Sequence, residues 1–474
     1  MWKNSVIDTD AYKITHWLQR PAGINHFYSY GEARKGGQHA EICFFGMQYI
    51  LKEYFMQKVT QENIERGAAR CKRVFGTDKY FPKEIWEKVK KLGYFPLEIK
   101  CVKEGTVLPT GNVCFTIVST EPWFACMVSH FEDYLMWNWQ SSGVATRLFN
   151  IKKGILPYFN MTCDKPDLAF AVNDFGLRGA VYREGAVLGG MAMLIFSNGS
   201  DNLPAMEGIE EYYTDNNIGQ SVWATEHSVA TVWGQGRGEI DYVLAQLERA
   251  EPHLPISIVM DSYDADGFIK NVLGDPEVKQ KIIDRPGRVI PRPDSNDPLT
   301  NVIKYSEQLG NLFGYHLNHK DYKVINHNVG LLQGDGMNEK SIPKIYEEYI
   351  KTGWSCENFN TGSGGGLHTD GLCRDTDRWA VKVSHVEIEG KSINVQKTPK
   401  SDMTKASKAG LLKLHKAGNG FMTIQSSTEQ FGENNPYIDE LQVVYKNGEL
   451  FNDQKFTEIR KIADEYLQIA LNKK

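Results

Sequence analysis

RVIPRPDSNDPLTNVIKYSEQLGNL, residues 288–312, contains in one line the pattern on which the fold turns. A short apolar run around Val289 and Ile290 ends in PRPDSND, a cluster of turn-forming polar residues. After it, apolar residues recur at helical spacing over 299–312. The order is strand, polar loop, helix. It repeats in LAFAVNDFG (168–176), AMLIFSNGSD (192–201), ISIVMDSYD (256–264), VGLLQGDG (329–336) and NFNTGSGGG (358–366), with further helical periods over 239–249 and 342–350. The intervals are mostly about 25 to 40 residues, the size of a strand–helix unit. Such a chain is expected to form a parallel, irregular α/β barrel over residues 146–386, with its chemistry on the loops that follow the strands. An open doubly wound sheet is the competing architecture. It would gather functional residues at one switch point, whereas here polar residues follow nearly every run.

The flanks have another rhythm. Residues 1–145 mix an amphipathic helix at 61–75 with strand signals over 97–120. From 387 to 474 short strands alternate with Glu-Gly and Asn-Gly turns and end in a helix over 456–471. The two flanks are expected to join as one α+β domain beside the barrel. Across 474 residues the formal charge is only −5, which leaves no broad basic field for nucleic acid or anionic lipid. No apolar stretch is long enough for a membrane span. The eight cysteines stand singly with no C-x-x-C, which reads as reduced cytoplasmic thiols rather than a disulfide framework or zinc site.

The polar loops suggest what is bound. NTGSGGGLHTDGLCRD (360–375) has four glycines within five positions, so backbone N–H groups can crowd an anion, and Arg374 adds a charged fork. It is neither a dinucleotide fingerprint, since Leu367 takes the last glycine's place, nor a P-loop. RPDS (292–295) and QGDG (333–336) each set an aspartate beside a constrained residue just after a run. Asp294 and Asp335 suit ribose hydroxyls or magnesium, directly or through water, and Arg178 and Arg292 suit a diphosphate. DSYDADG (261–267) lacks the closing glutamate of a calcium loop. His227, beside Glu226 in SVWATEHSVAT, reads by itself as a structural histidine or a reactive one. Together the loops describe a site for a phosphorylated sugar.

The ordered series TDAYKITH, YSYGEAR, FFGMQYIL, NDFGLRG, SVWATEHS, VMDSYD, RPDS, QGDG, GSGGGL and INVQK resembles, over nearly the whole chain, the nicotinamide phosphoribosyltransferase family of type II phosphoribosyltransferases. The resemblance implies a homodimer with shared active sites, joining nicotinamide to phosphoribosyl pyrophosphate with magnesium, and coupled to ATP through a phosphohistidine. It puts the phosphohistidine at His227, oriented by Asp261. Phe175 and Tyr12 of the partner subunit would sandwich the pyridine. Asp201 would select nicotinamide over nicotinate, and Arg292 would reach both the base and the diphosphate. Arg178 and His227 would also contact diphosphate. Asp294, Gly334, Asp335, Gly364, Gly365 and Arg374 would hold ribose and phosphate, and Arg34, Lys382, Lys397 and Lys405 would reach ATP or pyrophosphate. Nicotinate phosphoribosyltransferase is the alternative; a non-catalytic binding protein on the same scaffold is a third reading. Two departures stand out: Asn173 where the family's animal-type members have histidine, and one extra residue before Arg374.

Overall fold

Asp297 closes the quoted polar cluster and caps a helix, Pro298–Phe313. Its carboxylate accepts the Thr300 N–H at 2.8 Å, with proline at the first helical turn. The helix buries Val302, Tyr305, Ser306, Leu309 and Phe313, one stripe at three- and four-residue spacing. Each such apolar side chain contributes roughly 1.5–3 kcal/mol when fully buried. The strand before it, Val289–Arg292, is buried through Pro291 and lies parallel to Ile256–Val259.

The computed structural model describes residues 3–400, 406–418, 420–426 and 437–471. The chain forms two compact units. One comprises Met1–Thr146, Ile209–Asp215 and Gly371–Tyr466, and the other Arg147–Gly208, Asn216–Asp370 and Leu467–Lys474.

In the second unit the parallel segments close on themselves. Val172–Asp174, Phe359–Ser363 and Leu331–Gln333 form one parallel sheet, and Trp223–Ala224, Ile256–Val259 and Val289–Arg292 another. Parallel bridges join their edges: Asp174 to Ser200 and Gly199 to Gln220 on one side, Val289 to Val329 on the other. The result is a closed irregular barrel rather than an open sheet. The run at 192–201 is not the strand its apolar residues suggest. Helix Arg183–Leu194 continues through Met191, Ala192 and Met193, all buried, and only 199–200 join the ring. A helix apolar on every face and a buried strand look alike by periodicity.

The first unit is built on a seven-stranded antiparallel sheet. Its order is Lys391–Asn394, Trp379–Ile388, Ile24–Ala33, Phe115–Ser119, Leu97–Cys101, Gln442–Lys446 and Glu449–Leu450. Both ends of the chain therefore share one sheet. The expected barrel boundary at 386 moves back, because Trp379–Ile388 pairs along Ile24–Ala33 and Gly371 onward belongs to the flanking unit. Residues 209–215 belong there too: the Tyr213 ring stacks on Phe45 at 5.4 Å and its hydroxyl donates to Glu104. All eight cysteines are free; six of them are buried, Cys126 is partly exposed and Cys373 is exposed. Among the described residues no helix is long and apolar enough to cross a membrane.

Candidate active site

The barrel strands stop early, and the residues beyond their C-terminal ends turn toward one another. Phe175 follows Val172–Asp174 and donates its N–H to Ser363 O at 2.9 Å. Its ring lies on the backbone of Gly362, where a Cβ would stand 1.9 Å from Phe175 Cε2, so only glycine admits the ring there. A Cβ at Gly334 would meet Asp294 Oδ1 at 3.3 Å, and Arg292 Cδ and Phe175 Cε2 each at 4.0 Å. Three strand ends thus contribute Phe175, Arg292 with Asp294, and Gly334 to one spot.

Next to it, His227 opens the short helix His227–Thr231. Its Nδ1 lies 3.1 Å from Ser262 Oγ, while Nε2 faces Asp261 Oδ1 and Asp294 Oδ2, each at 3.7 Å. Asp261 Oδ2 accepts the Asp294 N–H at 2.8 Å and also the Ser295 hydroxyl. Its Oδ1 is buried without a hydrogen-bond partner among the described residues, and so is Arg292 Nε. Arg292 spends one Nη2 proton on Thr225 O at 2.9 Å. Buried ionic atoms left without partners are costly, and a ligand, an ion or an ordered water can meet them. Ser262 is a neighbour of His227 that the sequence reading did not single out; its place directly after Asp261 was the available signal.

Asp201 is exposed, held by its N–H to Asp174 O at 2.9 Å, and its carboxylate accepts the Ser221 hydroxyl at 2.6 Å. Asp201, Ser221, Asn173 and Phe175 line a cavity of about 960 Å³ that runs on past Trp223, Ile290 and Leu332. Asn173, the departure from the family pattern, uses its amide to bridge Phe170 O and Thr361 O, both at 2.9 Å.

The glycine-rich segment leaves strand Phe359–Ser363 and turns into helix Gly365–His368. Gly179 backs against it so closely that a Cβ there would lie 2.7 Å from Gly365 N. Ser363 donates its hydroxyl to Met337 O at 2.7 Å, which ties this loop to the one carrying Gly334 and the exposed Asp335. Arg178, in the NDFGLRG loop, is exposed.

The remaining predicted residues belong to the flanking unit. Arg374 is one of them, although the sequence groups it with the glycine loop; it pairs with its neighbour Asp375 at 2.7 Å. Burial pulls the Lys382 ammonium below the ordinary lysine range. Glu132 opposes that shift, and the positive charges of Arg34, Lys397 and Arg374 add to it. Four predicted phosphate contacts therefore form one basic cluster, and Arg34 Nε donates to Arg378 O at 3.0 Å. Tyr12 is exposed, edge-on to His16 at 5.0 Å. Lys405 lies outside the described residues.

Solved structures share this fold. A nicotinate-nucleotide pyrophosphorylase from Pyrococcus furiosus superposes with a TM-score of 0.62 at 16% identity, covering 99% of this chain and 96% of that one. Human nicotinic acid phosphoribosyltransferase gives 0.56 at 14% identity, covering 98% and 94%. These likenesses define the class of fold, that of the type II phosphoribosyltransferases. Sequence narrows it further. The profile of the nicotinate phosphoribosyltransferase (NAPRTase) family matches residues 170–449, and that of the nicotinamide phosphoribosyltransferase N-terminal domain matches 4–99. A nicotinamide phosphoribosyltransferase of Xanthomonas campestris pv. campestris is 34% identical over 97% of this chain and 98% of its own length. Another, from Acinetobacter baylyi, is 28% identical over 95% of each. The chain belongs to the nicotinate phosphoribosyltransferase family, on its nicotinamide phosphoribosyltransferase branch.

Proposed function

We propose that the protein transfers the 5-phosphoribosyl group of phosphoribosyl pyrophosphate to nicotinamide, forming nicotinamide mononucleotide and pyrophosphate for NAD salvage. The observation that carries this reading is the meeting of Phe175, Arg292, Asp294 and Gly334 at one spot, with Asp201 in the adjoining cavity. The pyridine nitrogen is a free nucleophile and needs no general base. It attacks the anomeric carbon as the bond to pyrophosphate breaks, so the protein's task is to align the two and to stabilise the departing anion. The Phe175 face favours the pyridinium that forms, and Arg292 and Arg178 take the diphosphate. The glycine loop with Gly364, Gly365 and the neighbouring Asp335 cradles the 5′-phosphate and ribose.

Asp201 accepts from the carboxamide of nicotinamide and repels the carboxylate of nicotinate. At roughly 4 Å and an effective dielectric near 20 the repulsion is about 4 kcal/mol before screening. Magnesium suits the hard oxygen set of Asp261, whose Oδ1 is unpartnered, and Asp294. When bound it would neutralise charge on the diphosphate. His227 is the proposed acceptor of the γ-phosphoryl group of ATP on a ring nitrogen, releasing ADP; water later removes the phosphoryl group. Lys382, Arg34, Lys397 and Arg374 are the cationic groups proposed to receive the ATP phosphates. A homodimer is supported by exposed apolar side chains beside the site, Leu177, Val181 and Tyr182, which a second copy would cover. Its Tyr12 would complete the sandwich. A reducing cytoplasm suits the eight free thiols.

The test is product analysis with nicotinamide or nicotinate, phosphoribosyl pyrophosphate and magnesium, with and without ATP. Nicotinamide mononucleotide is expected as the main product, with ATP raising its yield. His227→Ala should retain synthesis and lose the ATP effect. Preferential formation of nicotinate mononucleotide would overturn the base assignment, and an equal ATP response in the variant would overturn the role of His227.

A further inference from the structure

Beneath the site lies a buried histidine–aspartate pair that the proposed chemistry does not use. His368 ends the helix opened by the glycine loop, and Asp174 ends strand Val172–Asp174. Both side chains are fully buried, and His368 Nε2 lies 2.7 Å from Asp174 Oδ1. That oxygen also accepts the Gly176 N–H at 2.8 Å, and Oδ2 accepts the Ser200 hydroxyl at 3.2 Å. The Asp174 carbonyl accepts the Asp201 N–H at 2.9 Å. One residue therefore grips the backbone just past Phe175, the serine before Asp201, Asp201 itself, and the helix that follows the phosphate loop.

The pair fits tightly. A Cβ on Gly176 would fall 2.2 Å from His368 Nε2, and one on Gly189 would fall 2.4 Å from Nδ1, so the imidazole occupies a slot between two glycines. Asp174 Oδ1 takes two donors, so Nε2 carries the proton. Nδ1 is buried with no partner among the described residues.

We infer that His368 and Asp174 are positioning residues. They fasten the phosphate loop to the strand end that carries Phe175 and to the bridging residues just before Asp201, and so fix the distance between the bound sugar phosphate and the base. An in-line displacement depends on that distance, and small misplacements far from the reacting atoms are expensive in rate. The inference rests on the proposed phosphate and base sites.

Phosphoribosyl pyrophosphate binding by calorimetry, steady-state kinetics and thermal melting are measured on the wild type, His368→Leu, His368→Gln and Ser200→Ala. His368→Leu is expected to lower kcat/KM for phosphoribosyl pyrophosphate about ten-fold or more, raising KM because the phosphate loop is displaced and lowering kcat because the alignment is lost. His368→Gln places an N–H donor at similar reach and should return it to within about three-fold. Equal impairment of the two variants, or an unchanged KM in His368→Leu, overturns the inference. Should His368→Leu not fold, Ser200→Ala decides: a KM for nicotinamide raised about three-fold supports the coupling, and an unchanged one refutes it. A wild type that binds no phosphoribosyl pyrophosphate refutes the proposed function instead.

Discussion

The flanking sheet and the barrel treat buried charge in opposite ways. In the flanking unit Glu104 is fully enclosed, and burial raises its carboxyl above the usual range. It is nonetheless met by the Gly46 and Gln48 N–H groups and the Tyr213 hydroxyl. Among the described residues no carboxylate or guanidinium of that unit is left buried without a partner. In the barrel unit Asp261 Oδ1 and Arg292 Nε are, and so are Arg285 Nε and Arg288 Nε ahead of strand Val289–Arg292. The strands differ in the same sense. The longest pair of the flanking sheet runs ten residues each, while the barrel strands run two to five before polar residues replace them. Long pairing satisfies the backbone and stabilises. Where the barrel strands end early, Asp261 and Arg292 are left available to a ligand.

This contrast makes testable claims, the first being that the flanking core stabilises without touching the chemistry. Phe55 is buried among Phe131, Tyr134 and Tyr445, with ring centroids 5.5 to 5.9 Å away. Phe55→Ala should cost about 3–5 kcal/mol in denaturant unfolding. The folded fraction should keep its kcat; a loss below about 1 kcal/mol would break the comparison.

Arg292→Ala should do the reverse. We expect kcat/KM to fall about 100-fold, close to 3 kcal/mol of transition-state stabilisation, with little change in melting temperature. A variant that melts early at wild-type activity would make Arg292 a structural residue.

His130 tests the flanking core by pH. Burial lowers its pKa to about 4, and its Nε2–H donates to Ser5 O at 2.8 Å; Asp133 opposes the shift and Lys13 reinforces it. The unfolded chain takes up the proton near 6.5 and the folded one only near 4, so stability present above pH 6.5 is lost as pH falls toward 4. That loss is up to about 3 kcal/mol. His130→Gln should flatten this part of the unfolding profile, and an unchanged slope would assign the pH dependence to other groups.

The smallest expected effect is on selectivity. Asp201 is exposed, so solvent screens its repulsion of nicotinate. Asp201→Asn should narrow the ratio of kcat/KM between nicotinamide and nicotinate about ten-fold, near 1–2 kcal/mol. An unaltered ratio would move base selection to another residue.

Much of this was legible in the sequence. The helices Gln61–Phe75, Pro298–Phe313 and Ser341–Ile350 follow their apolar periods, because an amphipathic stripe and its caps are local properties. The polar loops after the barrel strands were visible for the same reason. Less visible was anything that depends on residues far apart. Arg374 reads as part of the glycine loop by proximity in sequence, yet it lies in the flanking unit near Lys382. Asp174 reads as a mere neighbour of Phe175, and His368 as the tail of a glycine run. Their pairing spans 194 positions.

The sequence by itself determined the repeated strand–loop–helix order, the anion-binding character of the loops and the membership of a family, since each is written in short spacings. Only the tertiary structure decided that the ring closes through single bridges at Ser200, Gln220 and Val329, and which ionic atoms remain unpartnered. Closure and satisfaction depend on which distant backbone groups meet, and no local pattern records that.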